Sequence, residues 1–108
     1  MQKIGYLKPG HKESGESYRG QINTLDLNAT ISVLKNPKQK SEKSPDFEIF
    51  GEGKQDSLVK IGAAWKKKGK DRQFLSLEID DPSLPKALSL LAFRQQDDSW
   101  DIVWKRQS

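Results

Sequence analysis

Lysine side chains are concentrated in one stretch near the middle of this 108-residue sequence. Between residues 54 and 72 the chain carries seven basic residues and two acidic ones, a local excess of five positive charges. The basic residues are Lys54, Lys60, Lys66, Lys67, Lys68, Lys70 and Arg72. A cluster of ammonium groups can neutralise a nucleic-acid backbone and release its condensed counterions. The stretch is therefore a candidate phosphate-binding surface.

A second basic segment, KNPKQKSEKSP at residues 35–45, contains two prolines and none of the large apolar side chains that fill a core. We expect it to be a mobile surface loop. Its lysines, set against the single acid Glu42, are Lys35, Lys38, Lys40 and Lys43. If this loop meets the first basic stretch in the fold, the two form one face.

The charge distribution suits an anionic partner without requiring one. The net charge is +4, and the acids concentrate away from the lysines, at residues 78–81 and 97–101. A molecule polarised in this way steers an anion to one side. Lysine outnumbers arginine 15 to 4, which favours loose phosphate contact over bidentate recognition of bases.

The lysines also have a purely structural interpretation. Lysine-rich turns keep β proteins soluble, and charged side chains discourage edge-to-edge pairing of strands. The sequence leaves open whether residues 66–70 form only a solvated hairpin tip or contact a partner.

Residue types suited to catalysis are sparse. The sequence has no cysteine, which excludes disulfides, thiol chemistry and a Cys-ligated zinc. Its single histidine, His11, lies in a Gly/Ser-flanked loop and is interpreted as solvated. Asp80 and Asp81 precede Pro82, a pattern typical of a turn. Residues 51–54 lack the spacing of a phosphate-binding loop. We predict no catalytic residue, no metal and no cofactor, and so a protein that is not an enzyme.

Hydrophobic residues recur with a period of two along most of the chain, which is typical of strands with one buried face. The clearest cases are residues 74–79 and 100–104. The same alternation predicts strands at 4–6, 47–50 and 58–65, and a hairpin over 18–34 that turns at 26–28. We predict a mostly-β single domain over residues 1–108, a small antiparallel barrel or sandwich of about six to eight short strands.

The segment SLPKALSLLAF at residues 83–93 is ambiguous. Leu84, Leu88 and Leu91 have helical spacing, and Ser83 could cap a helix. Leu88, Leu90 and Ala92 alternate as a strand would. We predict at most one short helical segment near 83–91, leading into a strand by about residue 89.

The aromatic residues divide into core and surface candidates. Trp65, Trp100 and Trp104 each fall on the apolar phase of a predicted strand, so we expect them in the core. The candidates for exposed rings, on which nucleic-acid bases can stack, are Tyr6, Tyr18 and Phe74.

Four segments carry a resemblance to a known family: IGYLK, YRGQINTLDLNATISV, IGAAWKKKGKDRQFLSLEIDDPSLP and LLAFRQQDDSWDIVWKR. They resemble the domain of unknown function 736 family, over nearly the whole chain and with an interruption chiefly at residues 35–45. The resemblance implies an accessory protein of proteobacterial plasmids and integrative conjugative elements. It supplies no activity and no catalytic residue.

Two functions remain open. One is a weakly sequence-specific nucleic-acid-binding protein that acts on the DNA of a mobile element during transfer or maintenance. The other is a protein-binding module or inhibitor, directed at a host defence complex or a conjugation complex through an exposed edge strand or its charged faces.

The cellular location is also predicted from the apolar content. The N-terminus lacks the apolar core of a signal peptide, and the longest apolar run, residues 88–93, is too short to cross a bilayer. We expect a cytoplasmic protein without a membrane partner, present as a monomer or small homo-oligomer.

Overall fold

The computed structural model describes residues 2–10, 16–25, 27–38, 41–53, 55, 57–81 and 86–104. The strands of this part of the chain are β1 (Gln2–Pro9), β2 (Ser17–Asn23), β3 (Asn28–Lys35), β4 (Phe47–Glu52), β5 (Leu58–Lys68), β6 (Gln73–Ile79), β7 (Leu88–Arg94) and β8 (Trp100–Trp104). Each strand pairs antiparallel with the next, and β8 pairs with β1, so the sheet is a closed barrel. The predicted antiparallel barrel is confirmed, at the upper end of the predicted number of strands.

Several predictions concern residues outside the described ranges. These residues are the loop histidine His11, the turn residue Asp26, the basic residues Lys40 and Lys54, and residues 82–85 of the Asp-Pro turn and the ambiguous segment.

The barrel interior is filled by side chains that alternate along the strands. Residues opposite one another in paired strands share a face, and the inward pairs between β6 and β7 are Leu75–Ala92, Leu77–Leu90 and Ile79–Leu88. Fifteen hydrophobic residues of the described chain are buried, and every strand contributes at least one. An eight-stranded barrel has an interior just wide enough for such side chains to fill. The alternation seen in the sequence is therefore what places the core.

Among the described residues, Gly5, Gly20 and Gly62 allow neighbouring strands to approach closely. A β-carbon on Gly62 of β5 would lie 3.0 Å from the Glu78 carbonyl carbon and 3.1 Å from Ile79 Cα in β6. One on Gly20 of β2 would lie 2.7 Å from the Tyr6 carbonyl carbon in β1. Glycine within a strand is typical of such close backbone approaches.

The ladder between β4 and β5 skips Ile61, which has no opposite residue in β4. Such a bulge reverses the side-chain phase of the strand beyond it. Ala64 therefore faces the interior and is fully buried, whereas Trp65 faces outward and is half-buried. The prediction that Trp65 belongs to the core is wrong for this reason.

The other aromatic predictions have mixed outcomes. Trp100 is buried, with 5% of its surface exposed, which confirms its place in the core. Trp104 is half-buried and packs against the core from its margin. Tyr18 is not a free surface ring, because it packs edge-on against Phe47 and Trp100 with ring centroids 5.9 and 5.7 Å apart. Tyr6 is half-buried.

The described part of the ambiguous segment is not helical. Lys86 and Ala87 lie outside regular structure and β7 begins at Leu88. The period-two pattern prevails because it lets Leu88, Leu90 and Ala92 join the barrel interior. Across the described ranges, no helix has the length and apolar character needed to cross a membrane.

The two ends of the basic loop between β3 and β4 are joined by hydrogen bonds. The Asn36 backbone N–H donates to the Asp46 carbonyl at 3.0 Å, and the Asn36 side-chain amide donates to the Pro45 carbonyl at 3.0 Å. The predicted mobility of the loop stays a prediction.

The close approach at Gly62 can be tested by substitution. Gly62→Ala should lower the free energy of unfolding by about 1–3 kcal/mol, because the new methyl group must push apart two backbones. Chemical denaturation measures the change. Gly51→Ala is the matched control, since the added carbon would meet only the Ile61 side chain, at 3.3 Å. Equal losses in the two variants would show that backbone contact at Gly62 is not the constraint.

The outward placement of Trp65 predicts different costs for two tryptophans. Trp100→Ala should lower the free energy of unfolding by about 3–5 kcal/mol, as expected for a large buried ring. Trp65→Ala should cost less, about 1–2 kcal/mol, because its ring is half-buried on the outer face and the substitution removes its hydrogen bond to the Lys43 carbonyl. Thermal and urea unfolding compare the two, and a larger loss for Trp65→Ala would contradict the assigned strand phase.

Candidate functional site

The order of the strands brings the two basic segments to one end of the barrel. In an antiparallel up-and-down sheet, β3 and β5 run in the same direction, so the β3–β4 loop and the β5–β6 turn open at the same end. The β1–β2 and β7–β8 connections open there too. We call this the basic end. Among the described residues, it carries the cations Lys8, Lys35, Lys38, Lys43, Lys66, Lys67, Lys68, Lys70, Arg72 and Arg94, and fewer acids, which are Glu16, Glu42, Asp46, Asp71, Asp97 and Asp98. The expectation that the acids at 97–101 lie away from the lysines is therefore wrong for Asp97 and Asp98, because the β7–β8 connection opens at this end.

The two basic segments are also in direct contact. The Trp65 indole Nε1 donates a hydrogen bond to the Lys43 carbonyl at 3.1 Å. Next to it, the Lys66 backbone N–H donates to the Asp46 carboxylate at 2.8 Å, and the Asp46 N–H donates to the Ala64 carbonyl at 3.0 Å. The sequence leaves open whether the two segments meet, and in the fold they are in contact.

The run Lys66–Lys68 is not a hairpin tip, because β5 continues to Lys68. The turn covers only residues 69–72, and the Gly69 N–H donates to the Arg72 carbonyl at 2.9 Å to close it. The three lysines consequently alternate between faces. Lys66 and Lys68 have the phase of the buried Leu75, whereas Lys67 lies opposite Phe74 on the outer face.

Lys66 is engaged within the protein. Its Nζ donates to the Glu16 carboxylate at 2.8 Å and lies 5.5 Å from the centre of the Phe47 ring. Partial burial acts to raise the pKa of Glu16, but the hydrogen bonds from Lys66 and Tyr18 outweigh it, so the pKa is lowered. Lys66 is thus linked to Glu16 at the barrel end by an ion pair whose lysine side chain is still 53% exposed.

Tyr18 is linked to the same carboxylate. Its hydroxyl donates to the Glu16 carboxylate at 2.9 Å. Burial, and then the hydrogen bond to the Glu16 carboxylate, raise the pKa of Tyr18 to about 12. Because the neutral phenol is the form that is favoured in this setting, Tyr18 acts as a hydrogen-bond donor at the barrel end.

A pocket of about 220 Å³ opens beside these side chains. Aromatic side chains of Tyr18, Phe74 and Trp100 line it, with the cations Lys68 and Arg94 among its other lining residues. Arg94 is held by an ion pair with Asp98.

The remaining predicted basic residues divide by position. Lys35, Lys38, Lys67, Lys68, Lys70 and Arg72 are exposed at the basic end. Lys60 does not join them, because it lies near the start of β5 and its Nζ pairs with the Glu48 carboxylate at 2.8 Å. Within the described part of the chain, no three acidic or histidine side chains converge to hold a metal ion.

The structure adds aromatic residues that pattern analysis missed. Trp65, Phe74 and Phe93 all lie half-buried on the outer face of β5–β7, and we call them the aromatic wall. The Phe74 and Phe93 rings are 5.8 Å apart, and the Arg72 guanidinium lies 4.8 Å from the Phe93 centroid. The sequence pattern predicts Phe74 as a surface ring. It does not identify Phe93, which lies within an apolar run, or Trp65, whose strand phase is reversed by the bulge at Ile61.

The opposite end of the barrel differs in character. A pocket of about 200 Å³ there is lined by Ile22, Leu27, Ala29, Val59, Ile61 and Ile79 among others. The large hydrophobic residues that are exposed in the described chain are also near this end, with Leu25 at 98%, Leu58 at 53% and Val59 at 47%. We call it the apolar end.

Fold and site define a class of protein: a closed eight-stranded antiparallel barrel with one basic end, one apolar end and an aromatic outer wall. Residues 3–107 match the family described as protein of unknown function (DUF736). The chain therefore belongs to this family. No curated protein and no solved structure matches the chain.

The raised pKa of Tyr18 predicts a loss of stability at alkaline pH. Since the folded-state pKa is about 12 against an ordinary value of 10.0, the contribution is fully present below pH 10.0 and is lost as pH rises toward 12. Tyr18→Phe, which cannot ionise, should lose less stability across this window. Urea unfolding at several pH values measures both proteins, and parallel declines would contradict the assignment.

Proposed function

We propose that this protein is a non-catalytic accessory protein that binds nucleic acid through its basic end. The observation that carries the proposal is the contact between the two basic segments, seen in the hydrogen bond from Trp65 to the Lys43 carbonyl. Segments that are far apart in the sequence thereby form one cationic surface. A polyanion meets this surface with several phosphates at once, which raises the affinity well above that of any single contact.

The exposed lysines at the end of β5 and in the β5–β6 turn are suited to phosphate. Lys67, Lys68 and Lys70 are exposed and lie within four positions of one another, so their like charges repel. Phosphate groups relieve this repulsion and release counterions on binding. Lysine contacts phosphate as a point charge and does not recognise bases by bidentate geometry. The proposed binding is therefore weakly specific for sequence.

The family resemblance supplies the biological setting of the proposal. In that setting the protein is encoded by a plasmid or an integrative conjugative element, and it acts in the cytoplasm on the DNA of the element. A small non-catalytic barrel would protect or position DNA during conjugation or maintenance.

A protein partner is the second candidate function, and the apolar end favours it. Leu25 is 98% exposed, and Leu58 and Val59 lie exposed on the same side of the molecule. Exposed apolar patches of this kind are typical of protein-binding surfaces. A host defence complex or a conjugation complex would then be the target. The described strands leave no free sheet edge, so addition of an edge strand is not the route.

The phosphate-binding role is tested with two charge-matched variants. Lys67, Lys68 and Lys70 are changed together to glutamine, and the control changes Lys3, Lys60 and Lys86, which lie away from the basic end. Both variants lose the same three charges. Only the first should weaken binding to DNA, by about tenfold or more at low salt if three phosphate contacts are lost.

The salt dependence provides a second measurement. The log–log slope of the wild-type association constant against salt should be about −0.7 to −0.9 per phosphate contacted, and the first variant should have a shallower slope. Fluorescence anisotropy with single- and double-stranded DNA gives both quantities. Equal effects of the two triple variants would show that only net charge matters, and no binding at low salt would leave the protein partner as the better candidate.

A further inference from the structure

We infer that the nucleic acid is bound as a single strand, with its bases stacked on the aromatic wall of Trp65, Phe74 and Phe93. The inference rests on the proposed function and names the form of nucleic acid that the same site takes. Three geometric features support the inference. They are the position of the wall on the outer face, its cationic border and the hydrogen bond that anchors Trp65.

The first feature is the surface position of the wall. Trp65, Phe74 and Phe93 are each only half-buried and lie outside the hydrophobic core cluster. Phe74 lies directly opposite Phe93 across the β6–β7 ladder. Trp65 lies on the neighbouring strand opposite Ser76, two residues from Phe74 on the same outer face. Aromatic rings grouped on an outer face form an apolar patch of the kind found at binding surfaces.

The second feature is the cationic border. Lys67 lies directly opposite Phe74, and it is two positions along β5 from Trp65, so it shares their face. Arg72 places its guanidinium over the Phe93 ring, at 4.8 Å from the centroid. Aromatic rings that alternate with cations match the alternation of bases and phosphates in a single strand. This charge complementarity favours nucleic acid over a neutral or basic partner.

The limits of the surface follow from its acidic neighbours. On β8, Asp101 lies opposite Phe93 and pairs with Lys3 at 3.2 Å. On β6, Glu78 lies further from the basic end and accepts a hydrogen bond from Ser89 at 2.7 Å. These carboxylates border the wall on the sides away from Lys67. The phosphates are therefore directed toward the β5–β6 turn, where Lys68, Lys70 and Arg72 outnumber the acid Asp71.

The third feature is the anchoring of Trp65. Its indole N–H is used in the hydrogen bond to the Lys43 carbonyl, which holds the ring in one orientation beside the β3–β4 loop. A ring held in this way loses little conformational freedom when a base stacks on it. Its polar atom is satisfied within the protein, so it offers the ligand an aromatic surface.

The wall distinguishes single from double strands. In a duplex the faces of the bases are covered by neighbouring base pairs, and only phosphates and groove edges are accessible. Stacking on protein aromatics requires unstacked bases, as in single-stranded nucleic acid. The lysines alone would bind both forms, and the aromatic wall adds affinity for one of them.

The test uses leucine substitutions that keep every charge. Trp65→Leu, Phe74→Leu and Phe93→Leu are compared with Phe50→Leu, a half-buried phenylalanine on the outer face of β4 opposite Lys60. The probes are a deoxythymidine oligonucleotide of about 16 nucleotides and a duplex of equal length. Each wall variant should lose about 5- to 100-fold in affinity for the single strand and keep its affinity for the duplex. Phe50→Leu should bind both probes as the wild type does.

Tryptophan fluorescence gives a readout that a structural defect would not mimic. Binding of the single strand should quench Trp65, since Trp100 is buried and Trp104 packs against the core. The quenching should disappear in Trp65→Leu and persist in Phe50→Leu. Thermal melting of each variant confirms that the barrel remains folded under the conditions of the titration.

The possible outcomes separate the inference from the proposed function. If the wall variants bind both probes as the wild type does, while the Lys67/Lys68/Lys70 variant loses binding, the single-strand inference is overturned and the phosphate-binding role stands. If the wild type binds neither probe at low salt, the single-strand inference and the proposed nucleic-acid-binding function are both overturned. The aromatic wall would then be a candidate surface for a protein partner. If the wall variants lose affinity for the single strand and keep their affinity for the duplex, the result supports both the single-strand inference and the proposed function.

Discussion

The strands of five to eleven residues bury one apolar face each because the sheet curls back on itself, and the pairing of β8 with β1 completes that closure. Closure joins what would otherwise be two exposed edges, which are sites of aggregation in open sheets. It also limits the interior to what side chains can fill, and the close strand approaches at Gly20 and Gly62 belong to the same geometry. Since the described strands leave no free edge, the ends and the outer wall are the surfaces available for the proposed binding.

The up-and-down order of strands then sorts the connections by chemistry. Consecutive connections lie at opposite ends of the barrel. The lysine-rich segments are therefore at one end, and the exposed leucine and valine residues are at the other. At the basic end, Lys66, Glu16 and Tyr18 are linked by hydrogen bonds that close the barrel over Phe47. The ion pair with Glu16 gives Lys66 a partner within the protein, whereas Lys67, the next residue, lies on the outer face of the same strand.

A single unpaired position in the β4–β5 ladder determines much of the surface. The bulge at Ile61 shifts the phase of β5, which sends Ala64 inward and Trp65 outward. The same shift gives Lys67 the outer face that it shares with Phe74. Core packing and the composition of the outer wall are thus coupled, because the side-chain period of a strand is two and one inserted residue exchanges its faces.

The local sequence pattern was sufficient to predict the fold class. The alternation of Leu75, Leu77 and Ile79 shows which face of the strand is buried, and it can be read from the residues of that strand alone. The local pattern was also sufficient to identify the two basic segments. Other features depend on strand register and on residues 20 to 50 positions away. These features are the contact of Trp65 with Lys43, the outward orientation of Trp65 and the ion pair of Lys66 with Glu16. Such long-range contacts are absent from any local window, because only the closed barrel brings the partners together.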